Sequence, residues 1–269
     1  MADQTYSDTP APRGLAVVTG ASAGIGMATA VALRKAGFLV IAAARRLDEG
    51  SRHEVVQDGI VPVHLDVTDD GSVAALARTV AATGVPLTLL VNNAGVALGA
   101  DLIVESDLTH WQRMYDVNVF GVLRVTKALL PQLIENGGHV VVLGSTVGHV
   151  AYERGGGYAS SKHAVSAFAS TLRLELSGTP VRVTELAPGM VRSEEFMVNR
   201  FLGDSDAAAA VYRGVDEPLS PEDIAECVAW CVTRPPHVDV DLLMVRPVAQ
   251  AAQHKVHRTE PGAGSRIPR

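Results

Sequence analysis

Apolar positions fall into short, β-branched runs that alternate with longer stretches of helical spacing. Runs with no polar alternation fit strands buried on both faces of a parallel sheet. They lie at 14–19, 38–44, 60–65, 87–91, 139–143, 181–186 and 238–245. Between them the periodicity predicts helices over 27–35, 69–83 and 108–135, from Tyr158 to about Leu176, and from Ser220 to just before Pro235. Ser220-Pro221-Glu222-Asp223 gives the last of these a hydroxyl cap and a proline in its first turn. The stretch 190–216 is less regular and is expected to be a mobile substrate lid. Strands alternating with helices imply an α/β protein: a single-domain Rossmann fold over 14–250, with a doubly wound parallel sheet of about seven strands and helices on both faces. Residues 1–13 read as a flexible N-terminal segment. Residues 251–269 read as a partly disordered C-terminal tail, polar and Pro/Gly-rich from about Thr259.

Composition narrows the class. A chain of 269 residues is long enough for one large core. With 23 basic and 29 acidic residues its net charge is −6, which argues against a nucleic-acid or anionic-membrane partner. No apolar run approaches the ~20 residues that cross a bilayer, and the polar start lacks a signal-peptide pattern. A cytoplasmic protein is expected. Cys227 and Cys231 are the only cysteines, which gives neither a disulfide framework nor a metal site.

Candidate chemistry gathers at the strand ends. The first strand runs into Gly20-Ala21-Ser22-Ala23-Gly24-Ile25-Gly26 and then a helix. Glycines let backbone approach a pyrophosphate, and the helix start offers free N–H groups with a positive dipole end. Arg45 and Arg46 follow the second strand, where an arginine pairs with a ribose 2′-phosphate. Asp66-Val67 follow the third strand; Asp66 suits either an adenine amine or the cap of the next turn. Asn92-Asn93-Ala94-Gly95 follow the fourth, small enough for backbone to lie against a flat cofactor. Asn118, an amide among apolar neighbours, needs hydrogen-bond partners. Ser145 ends the fifth strand, where open parallel sheets bind ligands. Tyr158 and Lys162 lie four apart on a helix, and an ammonium beside a phenol lowers its pKa from ~10 towards neutrality.

Together these motifs closely resemble the short-chain dehydrogenase/reductase family, over roughly residues 14 to 250. They are TGASAGIG at 19–26, NNAG at 92–95, Asn118, Ser145, the Tyr158/Lys162 pair and Pro188-Gly189. The resemblance implies an NADP(H)-dependent oxidoreductase that moves hydride between the nicotinamide and a carbonyl or secondary alcohol. It implies that Gly20, Ser22, Gly24, Ile25 and Gly26 cradle the phosphates and that Arg45 and Arg46 take the 2′-phosphate. Asp66 and Val67 would flank adenine, and Asn93, Ala94 and Gly95 would line the ribose. Pro188, Gly189, Val191 and Ser193 would hold the nicotinamide; Ser193 keeps the hydroxyl of the family's usual threonine. Some NADP-dependent members carry a basic residue where this chain has Ala23, so the cofactor preference rests on the two arginines.

For catalysis the resemblance implies that Tyr158 exchanges a proton with the substrate oxygen and Lys162 lowers its pKa and binds the nicotinamide ribose. Ser145 would donate to the carbonyl, and Asn118 would hold a relay water. The C-terminal third, with Asn199-Arg200-Phe201 and Pro247-Val248-x-Gln250 among its matches, is similar to NADP-dependent 3-hydroxy acid dehydrogenases acting on serine and allo-threonine. A small 3-hydroxy acid is therefore the expected substrate. Bulkier ketones or 3-oxoacyl groups are the enzymatic alternative, and an NADPH-binding regulator is the non-enzymatic one. The family also implies a homo-oligomer, a tetramer or else a dimer. The long helix and the Tyr158 helix would pack at one interface and the last strand at another. Residues 250–258 would either reach a neighbour or stay solvated.

Overall fold

A computed structural model describes residues 13–47 and 59–259. The predicted flexible segment 1–13 lies outside them except for Arg13, as does the tail from 260.

Seven parallel strands form one sheet in the order β3-β2-β1-β4-β5-β6-β7. They are β1 (Leu15–Thr19), β2 (Leu39–Ala44), β3 (Ile60–His64), β4 (Leu87–Asn92), β5 (His139–Leu143), β6 (Arg182–Pro188) and β7 (Leu242–Val245). Side chains alternate between two cores, as the pleat requires. Val17, Leu90 and Val140 face one core, while Ala16, Val18, Leu89 and Val141 face the other. The first core is closed by helices α2 (Asp70–Ala82), α4 (Gly121–Asn136) and α5 (Gly156–Glu175), and the second by α1 (Gly24–Lys35) and α8 (Pro221–Val232). Pro62, which has no N–H to give a ladder, sits on edge strand β3. The strand order reverses between β1 and β4, so a crevice opens at their C-terminal ends.

Three predicted elements differ in detail. The helix expected over 108–135 is α3 (Leu108–Tyr115), a π turn at Asp116–Phe120 and α4 in continuous succession. At 29 residues this combined helix is long and apolar enough to cross a bilayer, contrary to the sequence expectation. Its Val122, Val125, Leu129 and Leu133 are instead buried in the core. The lid is not irregular, since it folds into α6 (Glu194–Arg200) and α7 (Ser205–Ala210). The last strand is shorter than expected because Val238–Asp241 stay outside the ladder. Residues 250–258 fold onto their own chain: β8 (Gln250–Ala252) pairs with β9 (Lys255–Val256), and Arg258 donates to Val211 O.

Candidate functional site

Two loops at the β1/β4 crevice are tied together by backbone-directed bonds. Asn93 Nδ2 donates to Thr19 O at 2.8 Å, and the Asn93 and Ala94 N–H groups donate to Thr19 Oγ1 at 3.0 Å. Gly20 and Gly24 adopt φ of +66° and +54°, which suits glycine. A Cβ on Gly26 would collide with Asn93 Nδ2 and Gly20 O. Ala23 provides no side-chain cap, so the first N–H groups of α1 remain available. On the opposite rim Gln250 Oε1 accepts from Met190 N at 2.8 Å, and Tyr212 Oη donates to Val191 O at 2.8 Å. Ser193 Oγ comes within 3.2 Å of where a Cβ of Gly24 would stand.

The enclosed cleft has a volume of about 570 Å³, within the range of small-molecule sites. Every residue that the sequence assigns to cofactor or catalysis lines it, except Asn118. Fitness for a dinucleotide rests on the uncapped α1 start and the backbone-tight glycines at one end of this cleft. Near the tip of β2, Arg46 Nη2 bonds Ser22 Oγ at 2.9 Å and pairs with Glu195 at 2.9 Å. Asp66 Oδ1 accepts from the Thr68 backbone and hydroxyl, so it holds the turn itself. Burial raises its carboxyl's pKa, but the Thr68 bonds and the positive Arg113 and Arg45 leave it below the ordinary value.

At the inner end, Ser145, Tyr158 and Lys162 converge. The close fit of α5 against α3 sets the Tyr158 position, because a Cβ on Gly157 would meet Met114 Cε and the Trp111 ring. The Ser145 hydroxyl donates to Pro188 O at 3.4 Å and lies close enough to the phenol to favour its ionised form. Lys162 is buried, with Nζ donating to Leu143 O at 2.6 Å and lying 5.9 Å from the Tyr158 ring centre. Burial pulls its pKa down to about 8, opposed by Glu185.

The expected lowering of the phenol by Lys162 is not what the structure shows. Burial pushes Tyr158 up to about 12, Tyr152 adds to the rise, and Ser145 and Arg200 oppose it. The ammonium faces a carbonyl, and desolvation disfavours phenolate. Asn118 stands behind the cleft on the π turn. Its Nδ2 donates to Val96 O at 2.9 Å and Ser161 Oγ at 3.0 Å, and its Oδ1 accepts from Val96 N at 2.8 Å.

Sequence reasoning gave no role to five residues at this site. Glu185 is buried on β6, accepting from Ser166 Oγ at 2.8 Å and lying 3.0 Å from His149 Nε2. A lone acid inside an apolar strand was its signal. Tyr152, Glu195 and Arg200 lie in loop and lid segments where no periodicity marks them. Phe196 packs edge-on to Tyr158, with ring centres 5.8 Å apart.

Comparison with known proteins identifies the family. The sequence profile of the short chain dehydrogenase family matches residues 14–200. An uncharacterized oxidoreductase of Mycobacterium tuberculosis is 47% identical over 239 residues, covering 88% of this chain and 92% of that protein. The NADP-dependent 3-hydroxy acid dehydrogenase of Escherichia coli K12 is 36% identical over 247 residues, covering 91% and 99%. The closed form of serine dehydrogenase complexed with NADP+ superposes with a TM-score of 0.84 at 35% identity, covering 91% and 100%. This chain belongs to the short-chain dehydrogenase family.

Proposed function

We propose that the chain is an NADP(H)-dependent dehydrogenase acting on a small 3-hydroxy acid and the corresponding carbonyl compound. The observation that carries the reading is the meeting of Ser145, Tyr158 and Lys162 at the inner end of a cleft whose outer end presents Arg45 and Arg46. The named activity of the similar E. coli enzyme and the NADP+ bound in the similar serine dehydrogenase support the substrate class and the cofactor.

NADPH, when bound, supplies the hydride. The remaining work falls to side chains. Tyr158, whose pKa near 12 keeps it protonated at neutral pH, donates its proton to the substrate oxygen in the reductive direction. Ser145 donates to the same oxygen and stabilises the negative charge that develops there. Lys162, with a pKa near 8, exchanges protons readily around neutrality and holds the ribose. Asn118 keeps the water that passes protons from Lys162 to solvent. Its Oδ1 and the Lys162 Nζ lie 3.3 and 3.8 Å from the same point, where a Cβ of Gly95 would stand. Arg45 and Arg46 take the 2′-phosphate, with Ser22 and the α1 start on the diphosphate.

Tyr158→Phe is expected to lower kcat by two orders of magnitude or more while NADPH, titrated by fluorescence, binds as to wild type and more tightly than NADH. Near-wild-type turnover of 3-hydroxypropionate by the variant would refute the assignment. The proposal extends to a cytoplasmic homo-oligomer, a tetramer or dimer. Its support is the exposed apolar face of the α3–α4 helix, with Leu108, Phe120 and Leu123.

A further inference from the structure

Arg200 closes α6 and is only 9% exposed. Its Nη2 donates to Tyr152 Oη at 2.6 Å. Its guanidinium carbon lies 5.6 Å from the Tyr152 ring centre and 5.7 Å from that of Tyr158. Among the described residues it meets no carboxylate. A buried cation without a counter-charge is costly, and stacking on two rings offsets only part of that. A guanidinium offers five N–H donors, and one is committed to Tyr152.

The position is fixed rather than adaptable. The Arg200 carbonyl accepts from Gly99 N at 2.9 Å, and Leu202 ends the segment with φ of +54°, a conformation a branched side chain adopts only when its surroundings impose it. Phe196, Met197 and Asn199 of the same segment line the cleft together with Tyr158. Arg200 is not itself in this lining, but its guanidinium lies against the Tyr158 ring that is, in a desolvated setting where a planar anion gains most from a planar fork.

We propose that Arg200, positioned by Tyr152, is the residue that recognises the substrate carboxylate. In a 3-hydroxy acid two carbon–carbon bonds separate the oxygen-bearing carbon from the carboxylate carbon, a span suited to bridging Tyr158 and the guanidinium stacked beside it. Neutral ketones leave the cation unpaired, so the site selects short acids by charge as well as by size. The inference rests on the assignment of Tyr158 as the proton donor.

The test compares 3-hydroxypropionate with its methyl ester, using NADP+ and the full-length enzyme. Arg200→Met is expected to lower kcat/KM for the acid about 100-fold, mostly through KM, and for the ester less than tenfold. Arg200→Lys restores part of the loss on the acid, because it keeps the charge without the fork. Tyr152→Phe raises KM for the acid and leaves the acid's kcat within a few-fold. Equal losses on acid and ester, or no loss on the acid, overturn the proposal. Should the wild type oxidise neither compound, the proposed reaction fails on its own, and binding decides the carboxylate question. Propionate then raises the Tm of the wild-type complex with NADP+ but not that of Arg200→Met, and equal shifts overturn it.

Discussion

Lys162 is a charge held almost wholly out of bulk water, and its stability cost is set by pH. Its folded pKa of about 8 lies below the ordinary 10.5, so folding disfavours the ammonium. Below pH 8 both states are protonated and the full cost is present; it fades as pH rises from 8 to 10.5. Lys162→Met is therefore expected to stabilise the protein at pH 7, by on the order of 1–3 kcal/mol, while abolishing turnover. Urea titrations across pH 7 to 10.5 read this as a difference that shrinks upward; a constant difference contradicts it. The Tyr158/Lys162 spacing was legible in the sequence because helical neighbours are a local property. The direction of the Tyr158 shift was not. It depends on burial under Phe196 and on charges at Tyr152 and Arg200, which reach the phenol only through tertiary folding.

At the scale of elements, strands read well because two-sided burial leaves a continuous apolar run, as in LAVVT and HVVVL. The α8 start was equally legible, and Ser220 and Asp223 do form a reciprocal capping box. The π turn at Asp116–Phe120 was not. One wider turn inside a continuous helix leaves its apolar pattern nearly intact. The lid helices were missed because seven and six residues are too few to show a period or to stand alone. The α3–α5 contact is equally invisible from sequence, and it can be tested. Gly157→Ala pushes a methyl against the mobile Met114 tip and the Trp111 ring, and with the helix propensity gained it is expected to cost at most about 1 kcal/mol. It should also lower kcat by displacing Tyr158, with NADPH binding kept. Unchanged stability and kcat would show that the contact does not set the site.

Across the whole molecule, the apolar outer face of the α3–α4 helix would tie the site to the proposed assembly. Leu108 is 68% exposed, and Phe120 and Leu123 are 49% and 47% exposed. The same helix carries Asn118 and, through Trp111 and Met114, supports the first turn of α5. Leu123→Glu is expected to shift sedimentation from the oligomer to smaller species and to weaken activity with it. A monomeric wild type, or an oligomer indifferent to the substitution, would remove this face from consideration.

Helix α6 spans the cleft: Glu195 grips Arg46, the proposed 2′-phosphate residue, while Phe196 and Arg200 press on Tyr158. Under the proposed roles one short rigid body would answer to two ligands. Replacing Glu195 alters how firmly the helix sits, and with it the reach of Arg200. Combined substitutions at its two ends should therefore not sum. Redesigning this enzyme for another substrate by changing α6 means retuning its cofactor preference in the same stroke.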